Sequence, residues 1–156
     1  MSKHVTLREV KESGLPTFFE HQHEAAANQM ASFPAKDRDA FMAHWEKILG
    51  DKSVILKTIL LDGQVAGNVL SFELSGEREV GYWLGREFWG KGIATHVLYQ
   101  FLKQVNTRPL YAHVAKHNTA SLRVLEKCGF VVSGEDTGGI NEYGEQVEEF
   151  ILKLSE

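Results

Sequence analysis

The sequence predicts a single domain of the α+β (α/β) class, in which helices flank a mixed central β-sheet. The first half holds short β-branched and apolar stretches joined by turn signals, which is typical of an antiparallel meander. The second half alternates apolar strands with amphipathic helices, a pattern that allows parallel pairing. The predicted order of elements is β-α-α-β-β-β-α-β-α-β-β.

Hydrophobic periodicity places the elements of the first half. Apolar and polar residues alternate at the start of the chain, and two later segments carry apolar side chains at helical spacing. Turn signals at Asp62-Gly63 and Ser75-Gly76-Glu77 divide the stretch that follows into strands. The predicted strands are 5–10, 53–61, 65–74 and 79–84, and the predicted helices are 15–30, followed by a break at Phe33-Pro34, and 37–49.

The second half begins with a glycine-rich loop and continues as strand–helix units. Gly129 follows a helical segment and is expected to end it as a left-handed cap. Glycine is frequent again over 134–144, which predicts a turn region between the last two strands. The predicted helices are 93–105 and 118–127, and the predicted strands are 110–115, 130–133 and 147–154.

Length and charge limit the class of protein. The chain has 156 residues, which fits one domain over 1–156. Its 17 basic and 21 acidic residues give a formal net charge of −4, which argues against a nucleic-acid binder driven by bulk charge. No apolar stretch follows Met1, so we expect no signal peptide, no membrane segment and a cytoplasmic location.

Disulfide and metal chemistry are not expected from the composition. Cys128 is the single cysteine, which excludes an internal disulfide and a site with several thiolates. Among the 7 histidines, His21 and His23 are the close pair, and residues two apart on a helix face in different directions. We therefore predict no metal site.

The stretch 85–95 is the most informative part of the sequence, because its glycines lead from a predicted strand into a predicted helix. Such a loop lets backbone N–H groups approach a phosphate at the helix N-terminus. The pattern of a nucleotide triphosphate loop fails, since Gly92 stands where Ser or Thr is needed. The dinucleotide pattern fails as well, since Thr95 replaces its third glycine. A tight turn without a ligand is the other interpretation.

Two motifs resemble one family of enzymes. Phe88-Trp89-Gly90-Lys91-Gly92-Ile93-Ala94-Thr95 resembles the acyl-CoA pyrophosphate loop of the GNAT N-acetyltransferase superfamily, whose pattern is Q/R-x-x-G-x-G/A, although Glu87 departs from it. Residues 118–130 resemble the family's Asn-containing helix, which ends in Gly-Phe, and 79–84 is similar to the strand before the loop. The likeness covers nearly the whole chain and is greatest to the branch of ribosomal-protein N-terminal acetyltransferases.

The resemblance implies a single GNAT-like domain that binds acetyl-CoA, whose thioester carbonyl an amine attacks directly in a ternary complex. Backbone N–H groups of the loop would hold the pyrophosphate, and one near Tyr82 would stabilise the oxyanion. Asn118 would reach the pantetheine amide or, alternatively, cap its helix. The implied cofactor-binding residues are Tyr82, Trp83, Leu84, Trp89, Gly90, Lys91, Gly92, Ile93, Ala94, Thr95, Asn118 and Ser121.

The catalytic residues follow the same resemblance. Glu79 stands where histone-acetylating members carry their glutamate, and it is the candidate base, with Glu73 as second choice. Leu125 replaces the tyrosine that commonly protonates the departing thiolate. Either the thiolate leaves unaided or another group serves, for which the candidates are Tyr82, Ser121 and Cys128.

The acceptor amine is left open by the sequence. The family borders its acceptor site with the first two helices and the last strand pair, here 18–45 and 141–149. The acceptor could be a peptide N-terminus, an amino acid, a polyamine or an amino-sugar antibiotic. The oligomeric state is open as well, and both a monomer and a homodimer fit the sequence. We expect no nucleic-acid, membrane or metal partner. The alternative function is a non-catalytic acyl-CoA-binding module of the same fold. The polar, acidic and aromatic residues of this region are His21, His23, Glu24, Asn28, Phe33, His44, Trp45, Glu142, Glu145, Glu148 and Glu149.

Overall fold

One seven-stranded sheet runs through the computed structural model, which describes residues 4–31, 37–140 and 146–156. Its strands are β1 (Val5–Glu9), β2 (Ile55–Leu61), β3 (Gln64–Leu74), β4 (Glu77–Leu84), β5 (Leu110–Ala115), β6 (Val131–Ile140) and β7 (Gln146–Leu154). They lie in the order β1-β2-β3-β4-β5-β7-β6. The β4–β5 pair is parallel and the other neighbours are antiparallel, so the predicted mixed sheet is confirmed.

Helices cover both faces of the sheet. They are α1 (Leu15–Gln22), α2 (Ala25–Ala31), α3 (Arg38–Leu49), α4 (Ile93–Leu102) and α5 (Thr119–Lys127), with short 3₁₀ turns at Glu12–Gly14 and Arg86–Phe88. The larger core lies under α4 and α5, and a smaller one is formed by α1, α3 and the opposite face. Val69 belongs to the first core and Leu70 to the second, as expected for successive residues of a strand.

The same alternation decides which side chains of β4 and β5 can meet. Val80 and Tyr82 on β4 face α4 and α5, as do Ala112 and Val114 on β5. The intervening residues therefore face the side of α1 and α2, where Trp83 Nε1 donates to His21 O at 3.1 Å. The two faces of this strand pair thus present different chemistry.

The predicted helix over 15–30 is wrong as a single element, because the chain leaves the helix at His23 and begins α2 two residues later. Glu24 explains the break. Its carboxylate accepts hydrogen bonds from the N–H groups of Ala26 at 3.1 Å and Ala27 at 2.8 Å, which caps a new helix. The element order therefore gains one helix. The predicted break at Phe33-Pro34 lies outside the described residues.

The predicted turn region over 134–144 is also wrong in its first part, since β6 continues to Ile140. The pairing of β6 with β7 shifts register between Val132 and Gly134 and again between Asp136 and Gly139. Bulges absorb the extra residues, and glycine is a common residue at such points in a strand. Residues 141–144 lie outside the described part of the chain.

The other predicted elements differ from the structure mainly at their ends. The predicted helix over 93–105 ends at Leu102, and the strand predicted over 79–84 begins earlier, at Glu77. Gly129 has a φ of +97°, which confirms the predicted left-handed cap after α5. Among the described residues, no helix is long and apolar enough to cross a bilayer.

Candidate active site

A gap between β4 and β5 forms the centre of the site. The parallel ladder joins Arg78 with Leu110 and Glu79 with Tyr111 and then stops, although both strands continue. A cavity of about 220 Å³ lies in the gap, beside a second cavity of about 340 Å³ at the glycine loop. The two cavities share Tyr82, Trp83, Asn118 and Ser121 in their walls. The two strands therefore diverge beyond Glu79 and Tyr111.

The glycine loop turns the start of α4 into an anion-binding surface. Gly90 and Gly92 have φ values of +73° and +76°, and Gly92 is the N-cap of α4. The first N–H to bond back into the helix is that of His96, to Gly92 O at 3.3 Å. The first turn of a helix leaves its N–H groups without such partners, so the N–H groups up to Thr95 are available to a phosphate.

Side chains complete the wall of the larger cavity. Arg123 and Lys127, one turn apart on α5, line it and supply positive charge, whereas Lys91 is exposed in the loop. Trp89 lines it through its indole, whose Nε1 donates to Leu84 O at 2.9 Å. The Trp89 N–H donates to Arg86 O at 3.1 Å, which corrects its predicted place among the phosphate-binding amides.

Tyr82 and Ser121 meet on the α5 side of the gap. Tyr82 Oη and Ser121 Oγ are 3.0 Å apart, and burial raises the pKa of the Tyr82 phenol. Asn118 Oδ1 accepts from the N–H of Ser121 at 3.2 Å, so this side chain does cap α5. The cap bond uses Oδ1 alone, and the pantetheine contact through the amide nitrogen stays a prediction. Leu125 is buried at the bottom of this wall.

Cys128, the third candidate proton donor, packs against the larger core as a small apolar side chain. Burial raises the pKa of its thiol. Its Sγ lies 3.7 Å from Thr95 O, and it is not among the described residues that line the two cavities. This thiol is therefore structural.

Glu79 lies on the opposite side of the gap, with only 4% of its surface exposed. Its Oε1 is 3.5 Å from Nε2 of His113, and Nδ1 of His113 is 3.6 Å from Oε1 of Glu149. Burial raises the pKa of the Glu79 carboxyl, while the neighbouring His113 lowers it. A buried carboxylate with a raised pKa beside an imidazole has the properties of acid–base machinery.

Sequence reasoning did not find His113 and Glu149 as a pair, because they lie on β5 and β7. Sheet register joins them, since Ala115 pairs with Glu149 and His113 pairs with Ile151. Asp136 on β6 lies beside them, and the three offer ligand atoms within 4.8 Å of one another. The sequence has no local signal for this group, and the expected absence of a metal stays a prediction.

The comparison with known protein families agrees with the motifs. A profile described as an acetyltransferase (GNAT) domain matches residues 4–131. The chain belongs to the GNAT acetyltransferase family. One curated relative, "Putative ribosomal N-acetyltransferase YdaF" of Bacillus subtilis (strain 168), is 28% identical over 111 residues, which cover 66% of this chain and 60% of that protein. "Uncharacterized N-acetyltransferase p20" of Bacillus licheniformis is 32% identical over 87 residues, 53% of this chain and 48% of that protein.

These GNAT relatives are thus matched over about half to three fifths of their own length. Solved structures match the fold more completely. RimL, described as a ribosomal L7/L12 alpha-N-protein acetyltransferase in complex with coenzyme A, has a TM-score of 0.83 at 18% identity, with 97% of this chain and 93% of that chain covered. A Vibrio cholerae spermidine N-acetyltransferase with CoA and spermine has a TM-score of 0.80 at 20% identity, with 96% and 95% covered. These likenesses confirm the GNAT fold, and the names include the predicted ribosomal branch.

The residues predicted near the GNAT acceptor site lie in different parts of the structure. Phe33, Glu142 and Glu145 lie outside the described residues, and Glu149 lines the smaller cavity. Trp45 is 3% exposed and packs on Phe18 in the smaller core, so its side chain belongs to the core. Asn28 is buried and donates from Nδ2 to Gln22 O at 2.8 Å, which makes it a brace between α1 and α2.

Proposed function

We propose that this chain is an acetyl-CoA-dependent N-acetyltransferase that acetylates a primary amine by direct attack in a ternary complex. The observation that carries the proposal is the pair of adjoining cavities. One ends at the amide-rich start of α4, and the other contacts a carboxylate–imidazole group. An anionic thioester and an amine held at these two ends would meet in the gap between β4 and β5.

The donor side holds acetyl-CoA mainly through the backbone. The pyrophosphate accepts hydrogen bonds from the N–H groups that follow Gly90, with Arg123 and Lys127 as nearby charges. Pantetheine lies in the gap, where β4 continues without a partner strand beyond Glu79. A β4 N–H group between Tyr82 and Leu84 then stabilises the oxyanion of the tetrahedral intermediate.

The reaction needs one proton removed and one supplied. The amine nitrogen attacks the thioester carbonyl carbon, the C–S bond breaks, and the ammonium proton passes to the group formed by Glu79 and His113. The thiolate accepts a proton from Tyr82, which Ser121 contacts on the other side of the gap. Because β4 presents these groups on opposite faces, the two proton transfers do not compete for one site.

The acceptor is the α-amine of a protein N-terminus or a small-molecule amine. The two structural neighbours named above are described as acetyltransferases of spermidine and of a ribosomal protein, and both acceptors carry a primary amine. The carboxylates of Glu79 and Glu149 favour a cationic acceptor. We expect the protein to act in the cytoplasm, as a monomer or a homodimer.

Release of free thiol from acetyl-CoA tests the proposal, with an acceptor panel of N-terminal peptides, amino acids, polyamines and amino sugars. We expect turnover with one class and none with the same compounds acetylated beforehand. Tight CoA binding by calorimetry, with no thiol release above hydrolysis for any amine, would instead support the non-catalytic CoA-binding module.

A further inference from the structure

We propose that His113, and not Glu79, takes the proton from the acceptor amine, while Glu79 positions the imidazole and Glu149 receives the ammonium. The inference rests on the proposed acetyl transfer and assigns its base. Among the described residues that line the smaller cavity, the ionisable side chains are Tyr82, His113 and Glu149. Glu79 lies behind the imidazole, outside that wall.

The exposure of the three side chains supports the same assignment. The side chain of Glu79 is 5% exposed, whereas those of His113 and Glu149 are 28% and 29% exposed. An amine that enters the cavity therefore reaches the imidazole and Glu149 first. Glu79 is in position to hold the ring through Nε2, as a carboxylate does for the histidine of a hydrolase triad.

The far edge of the imidazole has room for a cation. If Nε2–H points to Glu79, Nδ1 carries a lone pair, and it lies 3.6 Å from Glu149 Oε1. Two acceptors at this distance cannot bond to each other, and a donor between them satisfies both. An ammonium group is such a donor, since it can contact Glu149 and give one proton to Nδ1.

The proton balance is then complete. The ammonium N–H bond breaks, Nδ1 of His113 gains this first proton and passes it to water, and the free amine attacks the carbonyl carbon. The attacking nitrogen then loses its second proton to Nδ1 as the C–S bond breaks, and the thiolate takes a proton from Tyr82. The imidazolium lies between two carboxylates, and its exposed edge returns the proton to water. No oxidant or metal is needed for these steps.

Most of the charged groups around His113 are carboxylates. Glu77 interacts with Glu79 from the same strand, and Asp136 of β6 lies within 4.8 Å of the other ligand atoms. Tyr111 lies two residues before His113 on β5, and Lys153 of β7 lies over its ring, 5.9 Å from the centroid. The helix nearest to β5, α2, contributes no ionisable side chain. Carboxylates thus outnumber cations around the His113 ring.

Three variants separate the roles. His113→Gln is expected to lower kcat by about 100-fold or more, the usual contribution of a general base, with CoA affinity unchanged. Glu79→Gln is expected to lower kcat by only about 10-fold, because the amide still contacts the ring. Glu149→Gln is expected to raise KM for the amine more than it lowers kcat. The matched control is His96→Gln on the exposed face of α4, which should leave kcat, KM for the amine and CoA affinity unchanged.

Rescue by free imidazole distinguishes a proton acceptor from a structural residue. Imidazole at millimolar concentration should restore part of the activity of His113→Ala and none of that of Glu79→Ala. A larger loss in Glu79→Gln than in His113→Gln, or no rescue of His113→Ala, would overturn the assignment. Loss of activity to a chelator with recovery on Zn²⁺ would overturn it too, since His113 would then be a ligand. Absence of wild-type turnover would refute the proposed function itself.

Discussion

The two sides of the gap between β4 and β5 are built by different means. The proposed donor side consists of consecutive residues, the loop and first turn of α4, and it offers mainly backbone N–H groups. The acceptor side uses side chains from separate strands, Glu79 of β4, His113 of β5 and Glu149 of β7. The donor side should therefore tolerate most side-chain changes but no side chain at Gly90 or Gly92, whereas the acceptor side should be sensitive to changes of its three ionisable side chains.

The strongest test of this difference is Gly92→Val. Gly92 has a φ of +76°, and no atom lies within 4 Å of the position a Cβ would take, so the change fills the open surface where a phosphate approaches. We expect CoA affinity to fall by at least about 100-fold, the value of one or two charge-assisted backbone hydrogen bonds. Calorimetric titration with CoA measures it.

Gly76→Val is the matched control for backbone strain. Gly76 has a φ of +82° and equally open surroundings, but it lies in the β3–β4 turn. Both variants should lose similar stability, about 1–2 kcal/mol from the left-handed backbone, and only the first should lose CoA. Equal CoA affinity in both would place the phosphate elsewhere.

A smaller effect is expected from Tyr82→Phe, which removes the hydroxyl group of this side chain and keeps its ring. If Tyr82 protonates the thiolate, kcat should fall by about 10-fold at constant CoA affinity, since a thiolate is already a fair leaving group. The pKa of Tyr82 is raised from 10.0, so the phenol stays protonated to higher pH, and loss of its proton should not lower wild-type kcat until the pH exceeds about 10. Unchanged kcat in the variant, relative to the exposed Tyr99→Phe, would show that the thiolate leaves unaided.

The same contrast explains what the sequence could predict. The donor side depends on a short motif whose glycines and helix start are contiguous. Gly90, Gly92 and the cavity-lining residues Tyr82 to Leu84 were therefore predictable. The meander and its strand ends were predictable because hairpin signals such as Asp62-Gly63 are local.

The acceptor side could not be predicted in the same way. His113 and Glu149 are brought together by the pairing of β5 with β7, which no local pattern encodes. Glu24 acts as a helix cap only because the chain leaves α1 one residue earlier. An alternating strand in the sequence shows that His113 faces away from the core, but not which side chain of another strand it faces.

A contact between the donor loop and α1 gives the smallest and most local test. Gly85 begins the donor loop with ordinary φ and ψ values of −57° and 141°, so alanine is not strained there. A Cβ at this position would lie 2.8 Å from Cδ2 and Nε2 of His21 on α1, whose carbonyl is held by Trp83. The ring must rotate or α1 must move, which we expect to cost about 1–2 kcal/mol of unfolding free energy.

A double-mutant cycle with His21→Ala isolates that contact. In the His21→Ala background, Gly85→Ala should cost less than about 0.5 kcal/mol, which gives a coupling energy near 1 kcal/mol by urea denaturation. If α1 moves instead of the ring, KM for the amine should rise in Gly85→Ala and return in the double variant, at constant CoA affinity. Additive effects on both quantities would mean that the donor loop does not brace α1, and that changes at Gly85 and His21 act independently.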